Sequence, residues 1–241
     1  MRVGVVSDIH SNLAALEAVL ADMGSVDALW CLGDVVGYGP DPNACLARLK
    51  ELGTTCIVGN HDWAVLGHAA LDDFNTDAAL AALWTRERLE PELRAWLDGC
   101  PQVQRLDPIT LAHGSPRDPI WEYVLSEGVA RVSLDCFETL VCLIGHTHVP
   151  SSFVQQPDGS VEAEYRSEGE VIVLGEQRLL ANPGSVGQPR DQDPRAAYLI
   201  YDGDAGTLTW RRTPYPVEAT QEKMRQEGLP PRLVRRLAYG R

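Results

Sequence analysis

The start of the chain alternates between short apolar runs and segments with helical periodicity. Residues 2–7, 27–32 and 54–58 are apolar and rich in β-branched side chains, which is typical of buried strands. Residues 12–23 and 42–52, which separate these runs, carry apolar side chains at the spacing of one helix face. This strand–helix–strand–helix–strand order predicts a parallel sheet with right-handed crossovers.

The rest of the chain predicts more helices and then antiparallel strands. Residues 61–98 are rich in Ala, Leu and Trp and are too long for a plain crossover, so we interpret them as a helical insert and a candidate lid. Strand patterns resume in three short runs, at residues 103–106, 109–112 and 140–144. From residue 151 onward, turn signals between short segments predict antiparallel hairpins. Because we find no internal repeat and no linker, we predict a single domain over residues 1–241.

The net charge, the hydrophobic pattern and the cysteines indicate which partners the protein can bind and in which cellular compartment it is found. The formal net charge is −13, and a surface of that sign repels polyanions, so we do not expect binding to polymeric nucleic acid. The N-terminus turns polar after six residues, and no stretch approaches the ~20 apolar residues that a spanning helix needs. None of the six cysteines forms a CxxC pair, so we expect reduced core thiols. These features predict a cytoplasmic protein without a membrane partner.

The C-terminal tail departs from this acidic balance. It has helical periodicity and carries five arginines, Arg225, Arg232, Arg235, Arg236 and Arg241. In an otherwise acidic chain, such a run predicts a solvated helix face.

Clusters of Asp, Asn and His follow the predicted strands. In chain order they are Asp8-Ile9-His10, Gly33-Asp34, Gly59-Asn60-His61-Asp62, His113-Gly114 and Gly145-His146-Thr147-His148. Ligands of open α/β sheets bind at the carboxyl ends of the strands, so we expect these clusters to converge on one edge of one sheet. Of the six histidines only His68 lies outside the clusters, whereas histidines with structural roles would be scattered.

The residue types in these clusters favour a pair of divalent metal ions. Carboxylate, amide oxygen and neutral imidazole are ligands for Mn, Fe, Co, Ni and Zn, and the absence of cysteine argues against structural zinc. Two ions about 3.5–4 Å apart can polarise a phosphoryl oxygen and generate hydroxide near neutral pH. Such a pair needs a bridging carboxylate, for which Asp34, central in chain order, is the candidate. A lone Asp-x-His or Gly-Asp would be weak support, so the prediction depends on the joint pattern.

The order of the clusters resembles the pattern of the calcineurin-like metallophosphoesterase family. That pattern runs D-x-H, G-D, G-N-H-[DE], H and G-H-x-H, and every element is present in order over residues 8–148. The fourth element reads Ala112-His113-Gly114 instead of the Gly-His form of many members. The later Asn182-Pro183-Gly184-Ser185 resembles the small bacterial phosphodiesterase branch, although by itself it could be only a tight turn. The resemblance implies a mixed α/β fold, a four-layer α/β/β/α sandwich with two mixed β-sheets flanked by helices.

The resemblance also implies roles for individual residues. One metal ion would be bound by Asp8, His10, Asp34 and His148, and the other by Asp34, Asn60, His113 and His146. His61 would contact the phosphate and protonate the leaving group, for which an unperturbed pKa of about 6.5 is suitable. Asp62 would orient or polarise His61.

Several residues near the clusters have two interpretations. Arg190 could neutralise a substrate phosphate, although a salt bridge within its loop is slightly favoured. Asn12 and Tyr38, just past the ligand loops, could touch the substrate or serve in capping and packing. Trp121 and Tyr123 could stack on a base, although half-buried packing is favoured.

Together these inferences predict a dinuclear-metal-dependent phosphoesterase. We expect a phosphodiesterase that hydrolyses small phosphate esters by metal-activated hydroxide, with manganese, iron, nickel, cobalt or zinc as the metal and no covalent protein intermediate. Nucleotide or protein phosphomonoesterase and dinucleoside polyphosphate hydrolase activities are alternatives, and the resemblance makes a homo-oligomer one option. A non-catalytic scaffold of the same fold would lack the active-site histidine, which this chain retains as His61. A nuclease would need a basic groove, and the net charge counts against one.

Overall fold

Two mixed six-stranded β-sheets lie at the centre of the fold in the computed structural model, which describes residues 1–72 and 74–241. In chain order the strands are β1 (Arg2–Val6), β2 (Ala28–Cys31), β3 (Thr55–Cys56), β4 (Val103–Leu106), β5 (Ile109–Ala112), β6 (Val141–Leu143), β7 (Ser151–Gln155), β8 (Val161–Tyr165), β9 (Val171–Val173), β10 (Leu179–Asn182), β11 (Ala196–Asp202) and β12 (Thr207–Thr213). The first sheet has the spatial order β3-β2-β1-β11-β12-β9, and the second has the order β4-β5-β6-β10-β7-β8.

Helices cover the outer faces of both sheets. They are α1 (Leu13–Met23), α2 (Pro42–Glu51), α3 (Asn60–Leu66), α4 (Thr76–Arg88), α5 (Pro91–Asp98), α6 (Glu127–Leu134), α7 (Val217–Gln226) and α8 (Pro231–Arg236), and a 3-10 turn follows at Leu237–Tyr239. Of these, α3, α4 and α5 form the predicted helical insert. No helix in the described part of the chain is long and apolar enough to cross a membrane.

The strand directions agree with the sequence pattern. β1, β2 and β3 pair in parallel, as the alternation of strands and helices predicts. β7 pairs antiparallel with β8, and β11 pairs antiparallel with β12, so the prediction of antiparallel hairpins after residue 151 is confirmed. β10 differs, because it returns to pair in parallel with β6.

The two sheets pack face to face and produce the predicted four layers. Side chains alternate along a strand, so Val3 and Val5 of β1 face the second sheet, where Leu111 and Leu143 contribute to the same apolar core. The buried Trp210 belongs to this core, and its indole Nε1 donates to the Asn182 carbonyl oxygen over 2.8 Å. A second core lies between the first sheet and helices α1 and α2, and a third lies between the second sheet and α6. The mixed α/β fold with two flanked sheets is therefore confirmed.

β3 is shorter than its apolar run. Residues 54–58 predict a full strand, but only Thr55 and Cys56 belong to the sheet. The Val58 amide donates to the Pro101 carbonyl oxygen over 3.0 Å, so the chain leaves the sheet early and turns toward α3.

The C-terminal tail is not a simple solvated helix face. Met224, Leu233, Val234 and Leu237 are buried in a small core that also contains Tyr38. This core joins the tail to α4 of the helical insert. Apolar residues at helical spacing among the arginines therefore dock the tail, and the prediction of a solvated tail is wrong on this face.

Candidate metal centre

The Asp, Asn and His clusters meet where strands of both sheets end. The segments that follow β1, β2 and β3 of the first sheet carry Asp8, Asp34 and Asn60, and Asn60 is the first residue of α3. The loops after β5 and β6 carry His113 and His146 from the second sheet. The expectation that all clusters share one edge of one sheet is therefore wrong, because the site lies between the ends of two packed sheets.

The backbone at this site adopts an unusual conformation. Five of the candidate ligands have positive φ, namely Asp8 (53°), His10 (48°), Asp34 (51°), His146 (68°) and His148 (61°). Non-glycine residues seldom occupy this left-handed region, and each costs about 1 kcal/mol or more. The surrounding fold therefore holds the loops in a shape that they would not adopt alone.

Two glycines allow the loops to approach each other. A Cβ atom at Gly59 would collide with the Asp34 carboxylate, and one at Gly145 would collide with the Ser7 hydroxyl. Glycine at these positions therefore lets the backbone pass directly beside the acidic side chains.

The first group of ligands is compact and buried. Asp8, His10, Asp34 and His148 each offer a ligand atom, and these atoms all lie within 4.8 Å of one another. His10 Nε2 lies 3.1 Å from His148 Nε2 and 3.6 Å from Asp34 Oδ2, and His148 Nε2 lies 3.3 Å from Asp8 Oδ1. Donor atoms this close to each other fit a single cation at their centre.

The second group shares Asp34 with the first. Asp34, His113 and His146 also offer ligand atoms within 4.8 Å of one another. His113 Nε2 lies 3.4 Å from Asp34 Oδ2 and 3.3 Å from Asn60 Oδ1, which brings the predicted amide ligand to this group. Asp34 is thus common to both groups, as a bridging carboxylate would be.

Backbone carbonyl groups orient the imidazole rings. His10 Nδ1 donates to Val36, His113 Nδ1 donates to Leu32, and His148 Nδ1 donates to Gln188, at 3.1, 2.8 and 2.6 Å. In the neutral form that binds metal, each of these hydrogen bonds leaves the lone pair on Nε2, directed at the carboxylates. His146 has the opposite arrangement, because its Nε2 donates to the Trp121 carbonyl oxygen over 3.2 Å. Its Nδ1 is therefore the atom available to a metal.

Each of the two carboxylates among the candidate ligands has one oxygen that accepts a hydrogen bond and one that does not. Asp8 Oδ2 accepts from the Ser7 hydroxyl at 2.6 Å, and Asp34 Oδ1 accepts from the His61 amide at 2.8 Å. Asp8 Oδ1 and Asp34 Oδ2 have no hydrogen-bond partner among the described residues, although both side chains are fully buried. Buried carboxylate oxygens without a partner are costly, and these two lie beside the Nε2 atoms described above. The residues therefore fit bound cations.

The pKa values reflect the same arrangement. Burial alone would raise the pKa of Asp34, but the neighbouring His113 and His61 outweigh burial and hold it well below the usual range. Burial alone would lower the pKa of His113, but the Asp34 carboxylate outweighs it and raises the pKa to about 10. Burial raises the pKa of Asp8 to about 6 and lowers that of His146 to about 3. In the absence of metal, a His113 imidazolium therefore acts as the counter-ion of Asp34.

His61 lies beside the candidate ligands and is held from several sides. Its ring centroid lies 4.3 Å from that of Tyr38 and 4.9 Å from that of Phe74. Burial lowers the pKa of His61 to about 4, so the imidazole is neutral near pH 7. The expectation of an unperturbed value therefore does not apply to this buried ring.

Asp62 has partners other than the His61 ring. Its two carboxylate oxygens accept from the amides of Val36 and Gly59, each over 3.0 Å. In the described structure the carboxylate makes no hydrogen bond to the His61 imidazole, so direct polarisation by Asp62 stays a prediction. The observed contacts fix the start of α3, which carries His61.

A cavity of about 150 Å³ opens beside the candidate centre and is called the inner cavity here. Its lining residues are Tyr38, Asn60, His61, Phe74, Asn75, Ala78, Trp121, Tyr123 and His146. The Tyr123 ring stacks on His146 with centroids 3.7 Å apart, and 45% of Tyr123 stays exposed. Trp121 and Tyr123 pack in the wall of this cavity and stay partly exposed, so stacking on a base remains a prediction.

The remaining predicted residues have different surroundings. Asn12 caps α1 through a 3.2 Å bond from the Ala15 amide, and its Nδ2 donates to the Gly187 carbonyl oxygen, so its contact with substrate stays a prediction. Arg190 donates to the Tyr38 hydroxyl over 3.4 Å and to Gln188 Oε1 over 3.1 Å. No described carboxylate forms an ion pair with Arg190, so the favoured loop salt bridge is wrong. The neighbouring Asp191 pairs instead with Arg212.

The Asn182–Ser185 turn supports the ligand loops. Asn182 Nδ2 donates to the Gly145 carbonyl oxygen over 2.6 Å, and the Ser185 hydroxyl donates to the Asp8 carbonyl oxygen over 2.8 Å. It is therefore more than a tight turn, because it ties the loops after β1 and β6 together.

Sequence reasoning missed two residues near the site. Phe74 packs on His61, and Arg236 of the C-terminal tail lies close enough to His61 for its charge to lower the pKa of that imidazole. The signal for Arg236 was the basic tail of an acidic chain, whereas no pattern in the sequence distinguishes Phe74 from other apolar residues of the insert.

Comparisons with known proteins agree with this geometry. A family model described as the calcineurin-like phosphoesterase superfamily domain matches residues 1–206. An uncharacterized protein of Methanocaldococcus jannaschii is 37% identical over 99% of this chain and 98% of its own length. The crystal structure of a metallophosphoesterase from Sphaerobacter thermophilus superposes with a TM-score of 0.92 at 44% identity, covering 100% of this chain and 99% of that one.

A more distant relative has a named activity. The symmetrical bis(5′-nucleosyl)-tetraphosphatase of Pectobacterium carotovorum is 31% identical over 139 residues. The alignment covers 54% of this chain and 49% of that protein, so the chain spans about half the length of this relative.

Proposed function

The chain is a hydrolase of the calcineurin-like phosphoesterase superfamily, and we propose that it cleaves small phosphate diesters at a dinuclear metal centre. The observation that carries this proposal is the pair of buried carboxylate oxygens without partners, Asp8 Oδ1 and Asp34 Oδ2. They belong to two groups of ligand atoms that share Asp34. Two cations would satisfy both oxygens and would complete the hydrogen-bonding of the site.

The ligands divide between two ions. Asp8, His10, Asp34 and His148 would hold the first, and Asp34, Asn60, His113 and His146 would hold the second. Bound there, divalent cations supply Lewis-acid polarisation of the phosphoryl group and acidify an attacking water. Oxygen and nitrogen donors without sulfur suit manganese, iron, cobalt, nickel and zinc, and we place manganese first for the test below.

His61 acts on the leaving group in this proposal. Its ring lines the inner cavity and is fixed by Tyr38 and Phe74, so it can present an N–H to the departing oxygen. A bound phosphate anion would raise the pKa of this imidazole from its low value, because a nearby negative charge favours the protonated form. Proton transfer from His61 then accompanies departure of the leaving group.

The inner cavity supports a diester over a monoester. Its wall contains Phe74, Trp121 and Tyr123 close to His61 and His146, and aromatic side chains of this kind suit an organic substituent. The second candidate is hydrolysis of a nucleoside polyphosphate, which is favoured by the alignment with the bis(5′-nucleosyl)-tetraphosphatase.

We propose the cytoplasm as the compartment. The six cysteines are free thiols in the structure, and four of them are buried, which suits a reducing environment.

The test is turnover of bis-p-nitrophenyl phosphate and p-nitrophenyl phosphate by protein that has been stripped with a chelator. Manganese, cobalt, nickel, zinc or magnesium is then restored singly, and bound metal is counted by elemental analysis. Metal-dependent turnover that favours the diester supports the proposal. Faster turnover of the monoester would replace it with a phosphomonoesterase, and no turnover with two bound ions would contradict catalysis.

A further inference from the structure

A second, larger cavity adjoins the inner cavity and is called the outer cavity here. Its volume is about 530 Å³, and its lining residues are Asn75, Thr76, Asp77, Arg232, Leu233, Arg236 and Arg241. Asn75 lines both cavities, so they adjoin at the start of α4. The outer cavity is formed by the insert on one side and the C-terminal tail on the other.

The described lining of the outer cavity has an excess of positive charge. It contains three arginines and one side-chain carboxylate, that of Asp77, which lies 3.8 Å from Arg232 Nε, and it also contains the terminal carboxylate of Arg241. Arg236 Nε donates to a terminal oxygen of Arg241, the last residue of the described chain, and no side-chain carboxylate among the described residues forms an ion pair with Arg236. In a protein of net charge −13, three arginines around one cavity are not expected from composition alone.

Arg236 is the least solvated member of this group. The pKa of Arg236 is lowered to about 10, mainly by burial, and the nearby Arg190 and Arg232 contribute in the same direction. The terminal carboxylate of Arg241 compensates part of this charge, and the nearby Arg190 and Arg232 leave a net positive charge that a further anion would balance. Planar guanidinium groups bind phosphate through paired N–H donors, so phosphate is the anion that this arrangement fits best.

The positive charges extend from the outer cavity toward the candidate metal centre. Arg190 donates to the Tyr38 hydroxyl, and the Tyr38 ring lies 4.3 Å from that of His61. The charge of Arg236 also acts on Tyr38 and His61. A molecule whose scissile phosphate lies near His61 could therefore reach the outer cavity with another charged group.

We propose that the outer cavity binds a second phosphate group of the substrate, with Arg236 as its main ligand and Arg232 and Arg241 beside it. The substrate class is then a phosphate ester whose organic part carries a further phosphate. This inference rests on the proposed function, because the first phosphate must lie at the metal centre. It adds a specificity-determining subsite from the tail, which lies beyond the residues that the family model matches.

The test compares two ligands that differ in one phosphate, adenosine 3′,5′-bisphosphate and adenosine 5′-monophosphate. Their affinities for the full chain are measured by calorimetry, and the ratio isolates the contribution of the second phosphate. We expect wild-type protein to bind the bisphosphate about tenfold more tightly or better, as one charge-assisted hydrogen-bonded pair provides. Arg236→Gln should bring this ratio close to one, and Arg236→Lys should give an intermediate ratio because it keeps the charge and loses the paired donors.

Arg235→Gln is the matched control. Arg235 is the exposed neighbour of Arg236 on α8 and does not line the outer cavity, and the two glutamine variants have the same net charge. The ratio should stay at the wild-type value in Arg235→Gln. Thermal unfolding of each variant checks that the tail remains docked.

Three results would overturn the proposal. They are a wild-type ratio near one, an unchanged ratio in a folded Arg236→Gln variant, and an equal loss in Arg235→Gln, which would indicate general charge attraction. Turnover of bis-p-nitrophenyl phosphate by wild-type protein tests the proposed function separately. If the protein turns over this ester but its two nucleotide affinities are equal, the subsite alone is rejected. If the protein binds metal but does not turn over the ester, the proposed phosphoesterase activity is rejected.

Discussion

The candidate metal centre and the two cavities beside it are built on different principles. Every candidate ligand at the centre is buried, and backbone groups fix the orientation of His10, His113 and His148. The outer walls of the cavities consist of partly exposed side chains from loops and helices, such as Trp121 in the loop after β5, which is 37% exposed, and Arg236 in α8. Rigid strand ends therefore hold the reacting groups, whereas loops and helices form the surface that selects the substrate.

This comparison predicts that a substitution of a metal ligand lowers turnover strongly, and by a similar factor for every substrate. Asp34→Asn removes a charge from both groups of ligands at nearly constant volume. We expect turnover of every ester to fall by more than about 10⁴-fold, because both ions depend on this carboxylate. Elemental analysis should find fewer than two bound ions in the variant. Full metal content with unchanged turnover would contradict the bridging role.

His61→Ala should separate chemistry from metal binding within the same centre. The His61 ring lies beside the ligands and belongs to neither group, so we expect two bound ions and a kcat about 100-fold lower or more. The loss should be smaller for esters with good leaving groups, such as p-nitrophenyl, than for alkyl leaving groups. Loss of metal equal to that of Asp34→Asn would contradict the assigned role of His61.

A change of pH should also affect metal binding at the centre more than ligand binding in the cavities. The imidazoles must be neutral to bind metal, and the raised pKa of His113, about 10, means that the metal-free protein must release a proton there. Metal affinity should therefore rise by about tenfold per pH unit between pH 7 and 9. Calorimetry in buffers of different ionisation enthalpy measures the released protons. The same heat in every buffer would contradict this assignment.

The smallest effect is expected in the wall of the inner cavity. Trp121→Ala should weaken binding of aromatic esters by about fivefold, the contribution of one aromatic contact, without changing bound metal. The comparison of bis-p-nitrophenyl phosphate with methyl p-nitrophenyl phosphate measures this preference as a ratio of kcat/KM. Leu125→Ala, at an exposed position of the same loop outside the inner cavity, is the control. An equal loss for both esters would show that Trp121 supports the fold instead.

The two regions also differ in how well the sequence predicts them. Asp8, Asp34 and His146 follow apolar runs, so local order along the chain was enough to bring them to strand ends. That the ends belong to two sheets was not predictable from local order, because it depends on two pairings between distant segments, β11 with β1 and β10 with β6. Asn60 and His113 then meet across the interface between the sheets.

The cavities depend almost entirely on contacts between distant segments. Arg190 contacts Tyr38, which is 152 positions away in the chain, and Arg236 lies in a tail that docks on the insert. No pattern within either segment specifies these contacts. Residues 61–98 could be predicted as helical, but which side chains face His61 could not.

The left-handed residues of the centre have a consequence for selection on this protein. Glycine is the residue that suits the backbone best at the five ligand positions with positive φ, which are Asp8, His10, Asp34, His146 and His148. Glycine there would relieve torsional strain but would remove a metal ligand. Such substitutions also remove the buried charge or imidazole from a site without metal. A library of variants screened only for heat resistance in a chelating buffer would therefore enrich variants that have lost metal binding and activity. Selection for activity has to accompany any selection for stability here.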